Sequence, residues 1–379
     1  MMKHNPLYLL LGTLLLTLVA KPVLADADDL PVIPNLPAAP TFSATTVPAN
    51  GDLNPYGVAF VPPDVPAGGK LQPGGILVSN FNNSANLQGT GTTIVQITPN
   101  GQTSLFFQGR LGLGLTTALG VLQSGFVLVG NVPSTGGAGT CTPGPNGQEQ
   151  GVEQGSLLII DRHGRLVTEL TSPTLLDGPW DLTINDFGAQ AQVFVSNVLS
   201  GTVTRLDLSV LADGAGGDDS RVVVENETQI ASGYLHRCDP SAFVVGPTGL
   251  ALDPGNDVLF VASTGDNAIF AIADASITTA DAGMGHRIVH DPVHLHGPLG
   301  LARAANGDLI TSQGDAVNFD PKHPSEIVEF TSRGKFVAQF SIDPAPGSAF
   351  GLALESSVEG FRLAAVDDAL NVLDVWVVK

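Results

Sequence analysis

One short phrase, a glycine followed by apolar, alanine and apolar residues, returns in full or worn form six times along this chain. The copies are Tyr56-Gly57-Val58-Ala59-Phe60, Leu119-Gly120-Val121-Leu122, Trp180-Asp181-Leu182-Thr183-Ile184, Thr248-Gly249-Leu250-Ala251-Leu252, Leu299-Gly300-Leu301-Ala302 and Phe350-Gly351-Leu352-Ala353-Leu354. The aligned positions 57, 120, 181, 249, 300 and 351 stand 51 to 68 residues apart. A recurrence at that spacing marks a chain built from one supersecondary unit repeated, with loops free to vary. The most complete unit is residues 246–272. It turns at Asp253-Pro254-Gly255-Asn256 and again at Thr264-Gly265-Asp266-Asn267, with alternating or apolar runs before, between and after. Such turn residues between apolar runs read as three short antiparallel strands.

The same grammar places a second strand after every copy, at 76–79, 126–130, 193–196, 259–262, 309–312 and 362–366. A third follows at 93–97, 156–160, 202–206, 268–272, 326–330 and 371–378. Fourth strands are expected in the first five copies, for example at 103–107, 166–170, 221–225 and 335–340, but the last copy stops at Lys379. Residues 41–47 precede the first copy and have no other partner, so they are expected to complete the last one. The expected fold class is therefore all-β, a six-bladed β-propeller of four-stranded antiparallel blades closed by an N-terminal strand. Closure removes the exposed sheet edges that an open stack would leave. A pair of β-sandwiches gives no reason for the sixfold phrase; a seventh, degenerate blade inside the insertion-rich middle stays open.

The first 25 residues are expected to be a cleaved export signal, with Lys3, an apolar run over 7–20 and the small-residue pattern Val23-Leu24-Ala25. That run is short for a membrane span, and no span is expected after cleavage. Residues 26–40, with four prolines, read as an extended leader, and 41–379 as the propeller domain. The chain has 36 acidic and 16 basic residues, a net charge of −20. Two basic residues and no acidic one would leave with the signal. This balance argues against a nucleic-acid partner and suits a soluble, exported monomer, periplasmic or secreted.

The 246–252 strand, with Leu259-Phe260-Val261-Ala262-Ser263-Thr264-Gly265-Asp266-Asn267-Ala268-Ile269 after it, resembles an NHL repeat. The whole chain is similar in plan to the NHL-like and gluconolactonase-like propellers. That resemblance implies a six-bladed fold whose members include lactonases, lyases and binding scaffolds. It also implies an acidic metal ligand at the start of the first blade. Here that stretch is Gly51-Asp52-Leu53-Asn54-Pro55-Tyr56, with no glutamate and with Asp52 as the available acid.

In a blade whose first strand lines the channel, the turn from second to third strand and the link between blades emerge on one face. Candidate ligand or metal residues on that mouth are Asn80, Asn131, Asn197, Asp266, Asp367, His294 and His296. Asparagine and aspartate oxygens suit Ca²⁺ and a histidine group suits Zn²⁺. The competing reading is that such residues end strands and make turns in any β protein, and that each histidine is a solvated loop residue. No serine-nucleophile elbow or His-Glu-x-x-His pattern occurs. Cys141 and Cys238 are the only cysteines. Both fall on the mouth face and are expected to pair, pinning the 133–155 insertion across it. Two functions follow: an exported scaffold binding a small molecule, glycan or envelope protein at the mouth, or a metal-dependent lactonase-like hydrolase or lyase there. No catalytic residue is assigned.

Overall fold

The computed structural model describes Met1 and residues 30–144, 149–211, 221–357 and 360–379. The expected export signal and the first part of the leader lie outside those residues. Six four-stranded antiparallel sheets account for the recurrence. From the inner strand outward, blade 1 is Leu53–Phe60, Ile76–Asn82, Thr93–Ile97 and Thr103–Gln108; blade 2 is Leu115–Val121, Val127–Asn131, Ser156–Ile160 and Leu166–Leu170; blade 3 is Pro179–Asp186, Gln190–Asn197, Thr202–Leu211 and Arg221–Ser232. Blade 4 is Pro247–Asp253, Val258–Ser263, Ala268–Ala273 and His286–Val289, and blade 5 is Pro298–Arg303, Leu309–Gln313, Glu326–Phe330 and Phe336–Ser341. Blade 6 is Ala349–Ser357, Gly360–Asp367 and Val372–Val378, completed by Phe42–Thr45 from the other end of the chain. That closing strand pairs Phe42 with Val375 and Thr45 with Val372. A seventh blade is excluded among the described residues, since the insertions hold only two short hairpins, Thr142–Pro143 with Glu149–Gln150 and Arg237–Asp239 with Phe243–Val245.

The recurring glycine has a packing cause. A Cβ added to Gly249 would fall 2.5 Å from Leu299 O, to Gly300 2.9 Å from Phe350 O, and to Gly351 1.7 Å from Tyr56 O. At these three joints the inner strand lies against the backbone of the next, an approach only glycine permits; Gly120 instead meets the Ile184 and Leu182 side chains, and blade 3 carries Asp181 at this position. A serine on the second strand latches the same joint. Ser79 Oγ accepts from Gly57 N and donates to Thr116 O; Ser312 Oγ accepts from Gly300 N and donates to Phe350 O. Ser196 does the same between Asp181 N and Thr248 O.

Blade faces pack on each other, so the inner three strands are buried on both sides. Val95, Leu158 and Val328 on third strands are 0% exposed. Their apolar runs are continuous for that reason, while the outer strands are half-exposed. Apolar clusters fill each of the six seams between neighbouring blades. The described part of the leader joins one of them. Val32 and Ile33 are buried with Leu352, Leu363 and Trp376 between blades 5 and 6. Glu329 Oε1 and Oε2 accept from Val32 N and Ile33 N at 2.8 and 2.7 Å. An extended leader was expected here; Ile33–Asn35 instead forms a 3₁₀ turn.

Candidate functional site

The turns and blade links expected to share a face do so, and the channel mouth on that face is roofed. The link from blade 3 to blade 4 arches inward through the Arg237–Asp239/Phe243–Val245 hairpin. A disulfide joins its Cys238 to Cys141 of the blade 2 insertion, with Cα atoms 5.2 Å apart. Cys141, Cys238, Phe243 and Val244 pack on Tyr56, Phe81, Val132, Trp180 and Val198, one apolar plug drawing on blades 1, 2 and 3. Its aromatic rings form a continuous stack. Tyr56 lies 4.6 Å from both Phe81 and Phe350, and Trp180 and Phe243 meet Phe81 edge-on at 5.4 and 5.7 Å. Phe243 holds a left-handed backbone (φ 66°) at the hairpin turn, uncommon for a bulky residue, while Asp239 Oδ1 accepts from Ser241 and Ala242.

Beside the roof lies a cavity of about 350 Å³. Asn54, Asn82, Asn86 and Gln88 line it from blade 1, Gly314, Asp315 and Ala316 from blade 5, and Pro346, Gly347 and Asp368 from blade 6 and its link. Ser241 and Ala242 cover it from the arch, and Tyr56 and Phe350 supply aromatic surface. Three lining oxygens, Asn54 Oδ1, Asn82 Oδ1 and Asp315 Oδ1, are buried without a hydrogen-bond partner. Buried polar atoms are paired in most proteins, so three unpaired oxygens on side chains lining one cavity set this cavity apart. Asp315 Oδ2 is held by Ser325 N and Gly347 N, and Asn82 Nδ2 by Asn86 Oδ1, which aims the remaining oxygens. Asn54, Asn86 and Asp315 are left-handed; that backbone explains their residue type but not their unpaired oxygens. Burial, then the charge of Asp367, pushes Asp368 up to about 7. Burial, then Asp368, also raises the Tyr56 phenol.

None of the seven candidate mouth residues lines this cavity. Asn80 Nδ2 donates to Thr46 O, Asn131 Nδ2 to Ser156 O, and Asn197 Nδ2 to Leu175 O. Each side chain ties a neighbouring segment to the end of a second strand, and Gln313 does so in blade 5 by donating to His294 O. Asp266 accepts from Leu235 N, and Asn267 bonds Leu295 O and Gly297 N. Asp367 accepts from Leu370 N, and burial pushes it up to about 6. His294 stacks on Phe336 at 3.7 Å and holds Asp291 Oδ2 at 2.7 Å. His296 is buried; its Nδ1 meets Asn318 O, and its Nε2 stands 3.8 Å from Glu326 Oε2. Asp52 is spent on Thr92 and Thr93, whose N–H and hydroxyls reach its Oδ2. The cavity residues lie one or two positions beyond these anchors, Asn82 after Asn80 and Asp368 after Asp367. The sequence gives no signal for which of two neighbours faces inward.

The acceptor atoms on the lining side chains Asn54, Asn82, Asp315 and Asp368 are all oxygens, the kind that suits a hard cation such as Ca²⁺. Zn²⁺ does not fit the His296–Glu326 pair, because no third histidine, cysteine or carboxylate atom joins it within 4.8 Å among the described residues.

No family model matches the chain, and no curated protein does. Among solved structures it is similar to a gluconolactonase of Xanthomonas campestris, at 15% identity and TM-score 0.47, over 89% of this chain and 96% of that one. It is also similar to regucalcin, a calcium-binding protein of Agrobacterium tumefaciens, at 13% identity and TM-score 0.49, over 88% and 92%. A chain of a nidogen/laminin complex aligns at 11% identity and TM-score 0.44, over 76% and 91%. The six-bladed fold of this chain rests on its own strand order. Likeness at this level carries nothing about activity.

Proposed function

We propose that this protein is an exported ligand-binding propeller whose roofed mouth cavity takes a hydroxyl-rich small molecule, such as a sugar or the end of a glycan. The observation that carries the reading is that Asn54, Asn82 and Asp315, each with an unpaired side-chain oxygen, line one cavity together with Tyr56 and Phe350. Hydroxyls donate to those oxygens while an apolar ring face lies on the aromatic surface, and a cavity of about 350 Å³ falls in the range of small-molecule sites. The buried disulfide is in keeping with an oxidising compartment.

Saturation-transfer NMR and calorimetry against a panel of mono- and disaccharides test this. Saturable binding by the parent, weakened at least about tenfold by Asn82→Ala and by Phe350→Ala, is expected. A panel without a binder, or binding indifferent to both substitutions, sinks it.

A second reading, a lactonase-like hydrolase, draws on Asp368. A carboxyl at about 7 on the cavity wall is suited to accept and return a proton at neutral pH, and the oxygen lining could hold Ca²⁺ to polarise a carbonyl. Elemental analysis with a lactone panel separates the two. Stoichiometric metal and turnover lost in Asp368→Asn favour the hydrolase; metal-free protein without turnover leaves the binding role.

A further inference from the structure

The roof disulfide has two further metal-ligating side chains beside it that its cross-linking role does not use. Cys141 Sγ, Cys238 Sγ and a carboxylate oxygen of Glu149 all lie within 4.8 Å of one another. Glu149 Oε1 is buried without a hydrogen-bond partner and stands 3.9 Å from His236 Nδ1, whose side chain is 37% exposed. The four residues come from two strand pairs. Cys141 precedes Thr142–Pro143, which pairs with Glu149–Gln150, while His236 and Cys238 begin the link hairpin. The first pair brings a sulfur and a carboxylate oxygen to the point where the second brings a sulfur, and His236 stands next to Glu149 at the edge of that group.

An unpaired carboxylate oxygen beside a disulfide is unfavourable, because neither sulfur can donate to it. Two sulfurs, a carboxylate and an imidazole are ligand types of tetrahedral Zn²⁺. With Zn–S near 2.3 Å and Zn–N or Zn–O near 2.0–2.2 Å, ligand atoms in a tetrahedron stand roughly 3.3–3.8 Å apart. The two sulfurs and the Glu149 oxygen already lie within 4.8 Å of one another; His236, part-exposed and 3.9 Å from Glu149, completes the set by turning inward, and its exposed edge leaves a route for entry.

We propose that reduction of the Cys141–Cys238 disulfide unmasks a divalent transition-metal site of Zn²⁺ type, held by Cys141, Cys238, Glu149 and His236. In the oxidised protein the sulfurs are bonded to each other and are not thiolate ligands. A dithiol donor supplies two electrons and two protons; the Cys141–Cys238 bond breaks to two thiols as the donor closes to its own disulfide. Metal binding then displaces both thiol protons to solvent, leaving two thiolates on the ion. The arch over the mouth is thus pinned covalently when oxidised and by the metal when reduced, and is released only in the reduced, metal-free protein. This site is separate from the mouth cavity and does not depend on what that cavity binds.

The test uses the full mature chain, reduced anaerobically with a trialkylphosphine and titrated with Co²⁺, then Zn²⁺. The expected result is a thiolate-to-cobalt charge-transfer band with intense tetrahedral ligand-field absorption, saturating at one equivalent and displaced by Zn²⁺, and absent from the oxidised protein. Glu149→Gln and His236→Ala, purified with the disulfide intact and then reduced, should each weaken Co²⁺ binding at least about tenfold. Far-UV circular dichroism follows the fold throughout. No charge-transfer band in the reduced parent, whether it stays folded or not, overturns the proposal. Affinity unchanged in both variants overturns it as well, since a bare dithiol would then suffice.

Discussion

Replacing Gly351 with alanine puts a methyl group where the joint between blades 6 and 1 has no room. The added Cβ would lie 1.7 Å from Tyr56 O and 2.9 Å from Tyr56 C, whereas ordinary contact begins near 3.4 Å. The two inner strands must therefore part by about 1.7 Å. The obstacle is backbone, so no rotamer relieves it. The seam filled by Ala44, Val58, Val78, Val366 and Val375 opens with it. Overpacking typically costs 1–3 kcal/mol; with a closed ring and a backbone obstacle, we expect about 3 kcal/mol or more, a large share of the ~5–15 kcal/mol holding a typical domain. Gly255 is the control, since its added Cβ meets nothing nearer than Asp253 Oδ1 at 3.4 Å. Gly255→Ala should change stability by less than about 0.5 kcal/mol. Urea unfolding followed by tryptophan fluorescence compares the three proteins at matched slope. Phe350 and Tyr56 flank this joint and line the cavity, so Gly351→Ala should also weaken any mouth ligand. An unfolding midpoint within about 0.5 kcal/mol of the parent would refute the idea that the recurring glycine is fixed by inter-blade contact.

Asp368 gives a pH test. Its folded pKa is raised to about 7 from 3.8, so the folded state holds a proton that the unfolded chain has released. The resulting stabilisation grows as pH falls from about 7 toward 4 and is absent above. Asp368→Asn should exceed the parent by about 1–2 kcal/mol at pH 8 and lose most of that advantage by pH 4; a pH-independent difference contradicts the assignment. Ser312→Ala leaves Gly300 N without its acceptor and Phe350 O without its donor, and should lower stability by about 1–3 kcal/mol in the same urea assay. A chain beginning at residue 37 loses the buried Val32 and Ile33 and uncovers Glu329. It should lose about 3–5 kcal/mol, and an unchanged melting temperature would show that the leader is only a tether.

Much of the architecture was legible because it repeats. Turn residues and apolar runs recur in every blade and the glycine in five of the six, so each copy reinforces the others. The closing strand was legible by elimination, and the Cys141–Cys238 bridge because two cysteines fell on one face. The candidate ring was harder. Asn80, Asn131 and Asn197 stand out in the sequence because they end second strands, and the structure uses them there to tie neighbouring segments to the blades. The cavity-lining Asn82 and Asp315 carry no repeat and no motif, and Asp368 shares the polar end of its second strand with Asp367, with nothing to say which of the two lines the cavity.

The sequence by itself determined the repeating blade, its antiparallel order and the face that gathers the turns, because these depend on local periodicity and on steric demands renewed at every copy; the strand order of the folded chain decided six blades against seven. Tertiary structure alone decided what occupies that face. Phe243 reaches Phe81 from a link more than 150 residues away along the chain, and Val32 and Ile33 find Glu329 nearly 300 residues on. Such contacts arise once, between segments with no shared pattern. Their energy depends on where the closed ring brings those segments, a geometry that exists only after all six blades have packed.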